Sequence, residues 1–227
     1  MSTSLPVNPS FVAGDVFYTR ADQQFQLFKV VAVDQALGCY HVAAYEPLPA
    51  LPAPADIPSL SIAIGHAPIS TDGFDQPVWL AHLPVAAREL RGYYFYLQYH
   101  QPAEERIELA VNHFNEAMAL SDAQRHHDAI DTYTLAYTLV PELYEAVDNR
   151  AFCWMDLGCW PEAIADFEES LRINPANDLA EFSIGECYFN LHDDAQAKAR
   201  FEQALALNPD SALAQEFLEK VAARSRA

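Results

Sequence analysis

The sequence predicts an α+β chain: a small antiparallel β-sheet or half-barrel at the amino end, then an all-α solenoid of three repeats with a capping helix. Three observations predict it. Eleven of the fifteen prolines and five of the seven glycines lie in residues 1–102, the punctuation of strands and loops. Short aromatic and β-branched runs alternate with that punctuation. Beyond it, Pro141, Pro175 and Pro209 recur 34 residues apart, and a fixed period of that size marks a repeat architecture. The chain is therefore divided into a β-rich domain, 1–102, and a helical domain, 103–227.

In the first domain, residues 15–19 follow Gly14 as a strand, and residues 25–33 form the clearest strand. Asp34 to Gly38 reads as a hairpin connection, with Gly38 free to take a positive φ. Residues 39–45 are its partner. The stretch from Pro47 to Pro58 is expected as an extended loop, since proline donates no ladder hydrogen bond. Residues 60–64 and 78–83 are weaker strands, and 85–90 a helical turn or two. The run Tyr93-Tyr-Phe-Tyr-Leu-Gln-Tyr99 is strongly β-prone and is expected as the last of five or six strands. It is apolar on both sides, so a cover from the helical half is expected on one face.

In the second domain, the period aligns three units: 110–143, 144–177 and 178–211. Small residues share the eighth place (Ala117, Ala151, Gly185) and the twentieth (Ala129, Ala163, Ala197). The twenty-fourth is aromatic (Tyr133, Phe167, Phe201), and the twenty-seventh small again (Ala136, Ser170, Ala204). Small columns let two antiparallel helices approach, aromatics fill the gap to the next unit, and proline ends the second helix. One such unit cannot bury its apolar face, whereas a stack can. Residues 212–225 read as the capping helix, with Leu213, Phe217 and Val221 inward. This half resembles a tetratricopeptide repeat array. It departs from the family at the seventh place, with Glu116 and Arg150 where leucine is common, and at the eleventh place of the first unit, with Leu120.

The resemblance implies that the first helix of each unit lines a groove. The groove-facing places fall on Val111, Phe114, Met118 and Asp122, then on Glu145, Asp148, Phe152, Met155 and Asp156. The third unit supplies Leu179, Phe182, Glu186, Phe189 and Asn190. That surface is aromatic and acidic, without lysine or arginine, and suits a basic partner with apolar anchors. Replacing Asp148 and Asp156 with lysine is expected to weaken such binding with little loss of folding. Chaperone-binding members of the family grip a ligand carboxylate with lysine, arginine and asparagine. Here those places hold Phe114, Met118, Asn149, Leu179 and Ser183, and only Asn149 matches, so no charge-assisted grip is expected.

Charge excludes further classes. The chain carries 13 basic and 32 acidic residues, a net −19; residues 1–100 contribute −4 and the remainder −15. Binding a nucleic acid or an anionic membrane needs basic patches that are lacking, so neither is expected. No apolar run is long enough to span a bilayer, and the first residues lack the basic and apolar regions of a leader. A cytoplasmic location with free, buried thiols at Cys39, Cys153, Cys159 and Cys187 is expected. Neither a phosphate loop nor a nucleophile elbow occurs. His126, His127 and Asp128 read as a solvated turn; His41, His66, His82 and His100 share no spacing. No metal, cofactor or catalytic constellation is expected. The favoured function is a non-enzymatic protein-binding module for a basic partner. Segments 14–18, 28–34 and 40–42 resemble the small β domains of some bacterial toxin-immunity proteins. That resemblance implies an inhibitor of a basic, cytosol-acting toxin. An adaptor, assembly factor or secretion chaperone, an enzyme with His41 or Tyr45 in its site, and a self-assembling protein are the alternatives. Partner identity and oligomeric state stay open.

Overall fold

The computed structural model describes residues 10–224. The amino-terminal residues read for a leader, and residue 225 at the end of the expected capping helix, lie outside the described residues. The chain divides into two compact units, residues 1–100 and 101–227.

The first unit holds β1 (Asp15–Ala21), β2 (Gln24–Asp34), β3 (Cys39–Tyr45), a 3₁₀ turn (Pro54–Ser59), β4 (Ile62–Ser70), β5 (Val78–His82) and α1 (Ala87–His100). The five strands form one antiparallel sheet, ordered β4-β3-β2-β1-β5. Its two edges do not pair, so it stays open. The β1–β2 turn takes positive φ at Asp22 and Gln23, and the β2–β3 connection at Gly38. This matches the twist that tight hairpins require. The expected extended loop contains the 3₁₀ turn, which buries Ile57. All seven residues of β3 are buried. Its Tyr40 and Val42 join Phe11, Phe17, Val30 and Phe74 in an aromatic core on one face.

The other face of β3 is covered by α1, and here the sequence reading is corrected. Residues 93–99 are helix, not strand. Ala87, Arg88, Glu89, Leu90 and Arg91 are good helix formers, and the aromatic run continues the helix they begin. Tertiary burial then outweighs β-propensity: Tyr93 and Tyr96 pack on His41. Glu89, 1% exposed, anchors the first turn. It accepts from Ala86 N at 2.8 Å, Lys29 Nζ at 2.7 Å and Tyr45 Oη at 2.7 Å. Lys29 Nζ also donates to Pro84 O at 2.6 Å, so this buried ion pair is well satisfied.

The second unit is helical throughout: α2 (Ala103–Asp122), α3 (His126–Leu139), α4 (Tyr144–Asp156), α5 (Trp160–Ile173), α6 (Asp178–Asn190), α7 (Asp194–Leu207) and α8 (Ala212–Arg224). Each helix packs on the next. The aligned columns are the core. Ala117, Ala151, Ala129, Ala163 and Ala197 are fully buried, as are Phe167 and Phe201, with Tyr133 at 1%. A Cβ on Gly185 would meet the Phe201 ring at 2.6 Å, so that place must stay small. Gln124, Gly158 and His192, at the same place in successive units, take the left-handed conformation between the paired helices. Arg150, where leucine is common, has its own partners. It makes a bidentate pair with Asp166 at 2.6 and 2.8 Å and donates to Thr134 Oγ1 at 2.9 Å. The apolar side of α8 also shifts from expectation: Ala214 and Val221 are buried while Leu213 is 57% exposed.

Candidate functional site

The first helices of the three pairs are α2, α4 and α6, and they carry every residue assigned to the groove. The structure sorts those residues by accessibility. Val111, Met118 and Leu179 are exposed apolar side chains, 44–50% accessible. Asp122, Glu145, Asp156 and Asn190 are exposed and polar. Phe114, Phe152, Met155, Glu186 and Phe189 are half-buried. Phe114 stands edge-on to Tyr133 at 5.6 Å, and Phe152 edge-on to Phe167 at 5.2 Å. The Arg224 guanidinium of α8 lies 3.6 Å over Phe189.

Two assigned residues are not surface. Phe182 packs among Phe201 and Phe217. Asp148 is 8% exposed and accepts from Asn177 Nδ2 at 2.7 Å, while its Oδ1 is buried without a partner. Burial pushes its carboxyl above the ordinary carboxylate range, opposed by hydrogen bonds from Ser170 and Asn177. The sequence reading placed Asp148 on the groove surface; it is buried instead, so a lysine there is expected to cost stability.

The cations of this unit among the described residues are already occupied. Arg125 pairs with Asp128, Arg150 with Asp166, Arg172 with Glu169, and Lys198 with Glu202. Arg200 bridges Glu168 and Glu181, Lys220 pairs with Glu216, and Arg224 with Asp194. Arg106 donates to Leu139 O. Among the described residues, Asp122, Glu145 and Glu186 make no salt bridge, and Asp156 meets only His126 Nδ1, at 3.7 Å. Burial raises the Glu186 carboxyl, and Lys220 opposes the shift. Exposed Asp122, Glu145 and Asp156 lie on the same set of helices as the accessible aliphatic side chains Val111, Met118 and Leu179.

A tetratricopeptide repeat family model matches residues 155–221. The helical unit resembles a tetratricopeptide repeat array in fold. Its fold is that of the first such domain of Spaghetti (RPAP3), solved bound to an HSP90 peptide, SRMEEVD. That domain is 22% identical at TM-score 0.51, covering 53% of this chain and 96% of the other. The Arabidopsis OM64 domain is 23% identical at TM-score 0.50, covering 52% and 98%. No curated protein matches the chain. Of the places that the resemblance assigns to gripping a carboxylate, Phe114, Met118 and Leu179 are apolar, Ser183 is polar and buried, and Asn149 is polar and partly exposed. Ser183 is buried, Phe114 lies on Tyr133, and Asn149 Nδ2 donates to Glu145 O at 2.7 Å.

The remaining polar candidates fall apart or regroup. The four cysteines are free; Cys39, Cys153 and Cys187 are buried and Cys159 half-buried. No three potential metal ligands converge among the described residues. No helix there is long and apolar enough to cross a membrane. His82 Nδ1 lies 3.0 Å from Asp15 Oδ1, which Trp79 Nε1 also approaches. Tyr45 is committed to Glu89. The sequence reading missed one cluster. His41 Nδ1 and His66 Nε2 are 2.8 Å apart, packed with Tyr93, Tyr96 and, through Tyr96, His100. No spacing signals it, because pairing of β3 with β4 and the unexpected helix α1 assemble it.

Proposed function

We propose that the repeat array binds a basic polypeptide segment along α2, α4 and α6. Exposed Val111, Met118 and Leu179 serve as apolar contacts, and Asp122, Glu145 and Asp156 as the charged rim. One observation carries this reading: every described arginine and lysine of the array already has a carboxylate or carbonyl partner, while these rim carboxylates have no Arg or Lys partner. An incoming cation finds acceptors free, whereas an incoming carboxylate finds no cation to release. The peptide in the Spaghetti complex is acidic, and this array lacks the groups to grip it.

The finer form of the reading is an inhibitor of a basic toxin. The net charge of −19 supports it, since an acidic surface steers encounter with a basic enzyme. Co-expression with a candidate basic toxin tests that form: rescue of growth supports it, and undiminished toxicity despite expression of folded inhibitor contradicts it.

Fluorescence anisotropy tests the general reading with two labelled probes, a short amphipathic Lys- and Leu-rich peptide and SRMEEVD. The basic probe is expected to bind at least about tenfold tighter, with affinity falling as salt rises. Equal or tighter binding of the acidic probe contradicts the proposal.

A further inference from the structure

A cleft of about 440 Å³ opens between β4 and α1. Its walls are His66 of β4 and Phe95, Tyr96, Tyr99 and His100 of α1. Gly65 and Gly92 set the crossing that forms it: a Cβ on Gly92 would lie 2.6 Å from the Gly65 carbonyl carbon. The helix reaches the strand only because Gly92 lacks a side chain; a Cβ on Gly65 would meet Gly92 Cα at an ordinary 3.9 Å.

The walls are built from aromatic and imidazole rings. Tyr96 stacks on His100 at 4.1 Å and lies 4.9 Å from His66, and Phe95 meets Tyr99 at 5.3 Å. Phe95 and Tyr99 are 58% and 69% exposed. Neither Lys, Arg, Asp nor Glu lines the cleft. His66 is held neutral, its pKa lowered to about 4 by burial and by the neighbouring His41 and His100. Burial lowers His41 as well, against the pull of Asp34.

The two neutral imidazoles share one proton across 2.8 Å, and His41 Nε2 faces the Cys39 thiol at 3.9 Å. Burial keeps that thiol protonated. The hydrogen-bond chain Cys39–His41–His66 runs in either direction, depending on tautomer. In one direction His66 Nδ1, which has no protein partner among the described residues, accepts a hydrogen bond. A bound N–H cation selects that direction.

Elsewhere among the described residues, four aromatic rings are met by cations. Arg20 lies over Phe25 at 5.3 Å, Arg150 over Tyr137 at 5.7 Å, Lys220 over Phe217 at 4.1 Å and Arg224 over Phe189 at 3.6 Å. Among the described residues, no cation lies over Phe95, Tyr96 or Tyr99. A cation over an aromatic face is attracted by the ring quadrupole, and the planar, weakly hydrated guanidinium both stacks and donates.

We propose that the cleft between β4 and α1 is a binding site for an arginine side chain presented by a protein partner, held against Tyr96 and Tyr99 and donating to His66. The site belongs to the amino-terminal unit and does not rest on the repeat array being a binding face.

Titration of the full chain near pH 7, followed by the aromatic NMR signals of His66, His100 and Tyr96, tests it. The probes are N-acetylargininamide and its uncharged isostere N-acetylcitrullinamide. Saturable shifts with the arginine probe, at least about fivefold weaker with citrulline, are expected. Because Phe95 and Tyr99 are exposed, Phe95→Leu and Tyr99→Leu leave the fold intact, and each is expected to weaken binding about threefold or more. Citrulline binding as well as arginine, no saturable shift, or full affinity in both variants overturns the assignment. Reversing the charges of the array leaves these local shifts unchanged if the site is correct, so failure of either reading is seen separately.

Discussion

Asp148 sits on α4 with one carboxylate oxygen accepting from Asn177 and the other buried without a partner. Its raised pKa means that ionisation costs folding free energy, so its contribution is most favourable below pH 3.8 and is lost as pH rises through the folded value. Asp148→Asn removes that cost while keeping the contact with Asn177. It is expected to be neutral or to stabilise by about 1 kcal/mol near pH 7. Asp148→Lys places an unpaired cation in the same pocket and is expected to cost about 3 kcal/mol or more. Urea denaturation of the two variants checks both. Gln124 offers a second case. It holds φ of +60° at the place where the next unit has Gly158. Gln124→Gly is expected to stabilise by about 0.5–1 kcal/mol in the same assay; a loss of stability would mean its side chain contributes more than the backbone strain costs.

At the scale of elements, what was legible depended on how local the determinant is. The repeat helices were readable because each obeys a column rule that recurs: small at 117, 151 and 185, aromatic at 133, 167 and 201. Strands β2 and β3 were readable from β-branched runs flanking Gly38. Helix α1 was not, since its tyrosines favour a strand in isolation. What decides is the contact of Tyr93 and Tyr96 with His41, together with Glu89 reaching Lys29 and Tyr45, which lie about half a domain away in sequence. The histidine cluster was illegible for the same reason. On the array, exposure separated Asp148 from Asp122, Glu145 and Asp156, which the shared repeat positions could not do. The pairing of α1 with β4 also carries a pH signature. The folded pKa of His66, about 4, lies below its ordinary 6.5, so the unfolded state binds more protons between these values. Stability is complete above pH 6.5 and falls through this window on acidification, by roughly 2 kcal/mol after allowance for partial exposure. Urea unfolding read from Trp79, with Trp154 and Trp160 replaced by Phe, measures it. His66→Phe should flatten the slope; an unchanged slope would place its origin in other groups.

At the scale of the molecule, charge is unevenly distributed: the helical part carries −15 of the net −19, and its described cations each have a carboxylate or carbonyl partner. Paired surface charges contribute little to stability, so under the proposed function the remaining carboxylates are expected to act mainly on what approaches. The most direct test of the account reverses them. Asp122→Lys, Glu145→Lys and Asp156→Lys together alter only exposed side chains and are expected to leave the thermal transition within a few degrees of the parent. Anisotropy titration of parent and triple variant with the basic and acidic probes should show an exchange of preference. The parent should take the basic peptide, the variant should lose about tenfold or more for it and gain for the acidic one, and both shifts should shrink as salt rises. A folded triple variant that keeps the parent's affinity for the basic peptide would contradict the central claim that these three helices present the binding face.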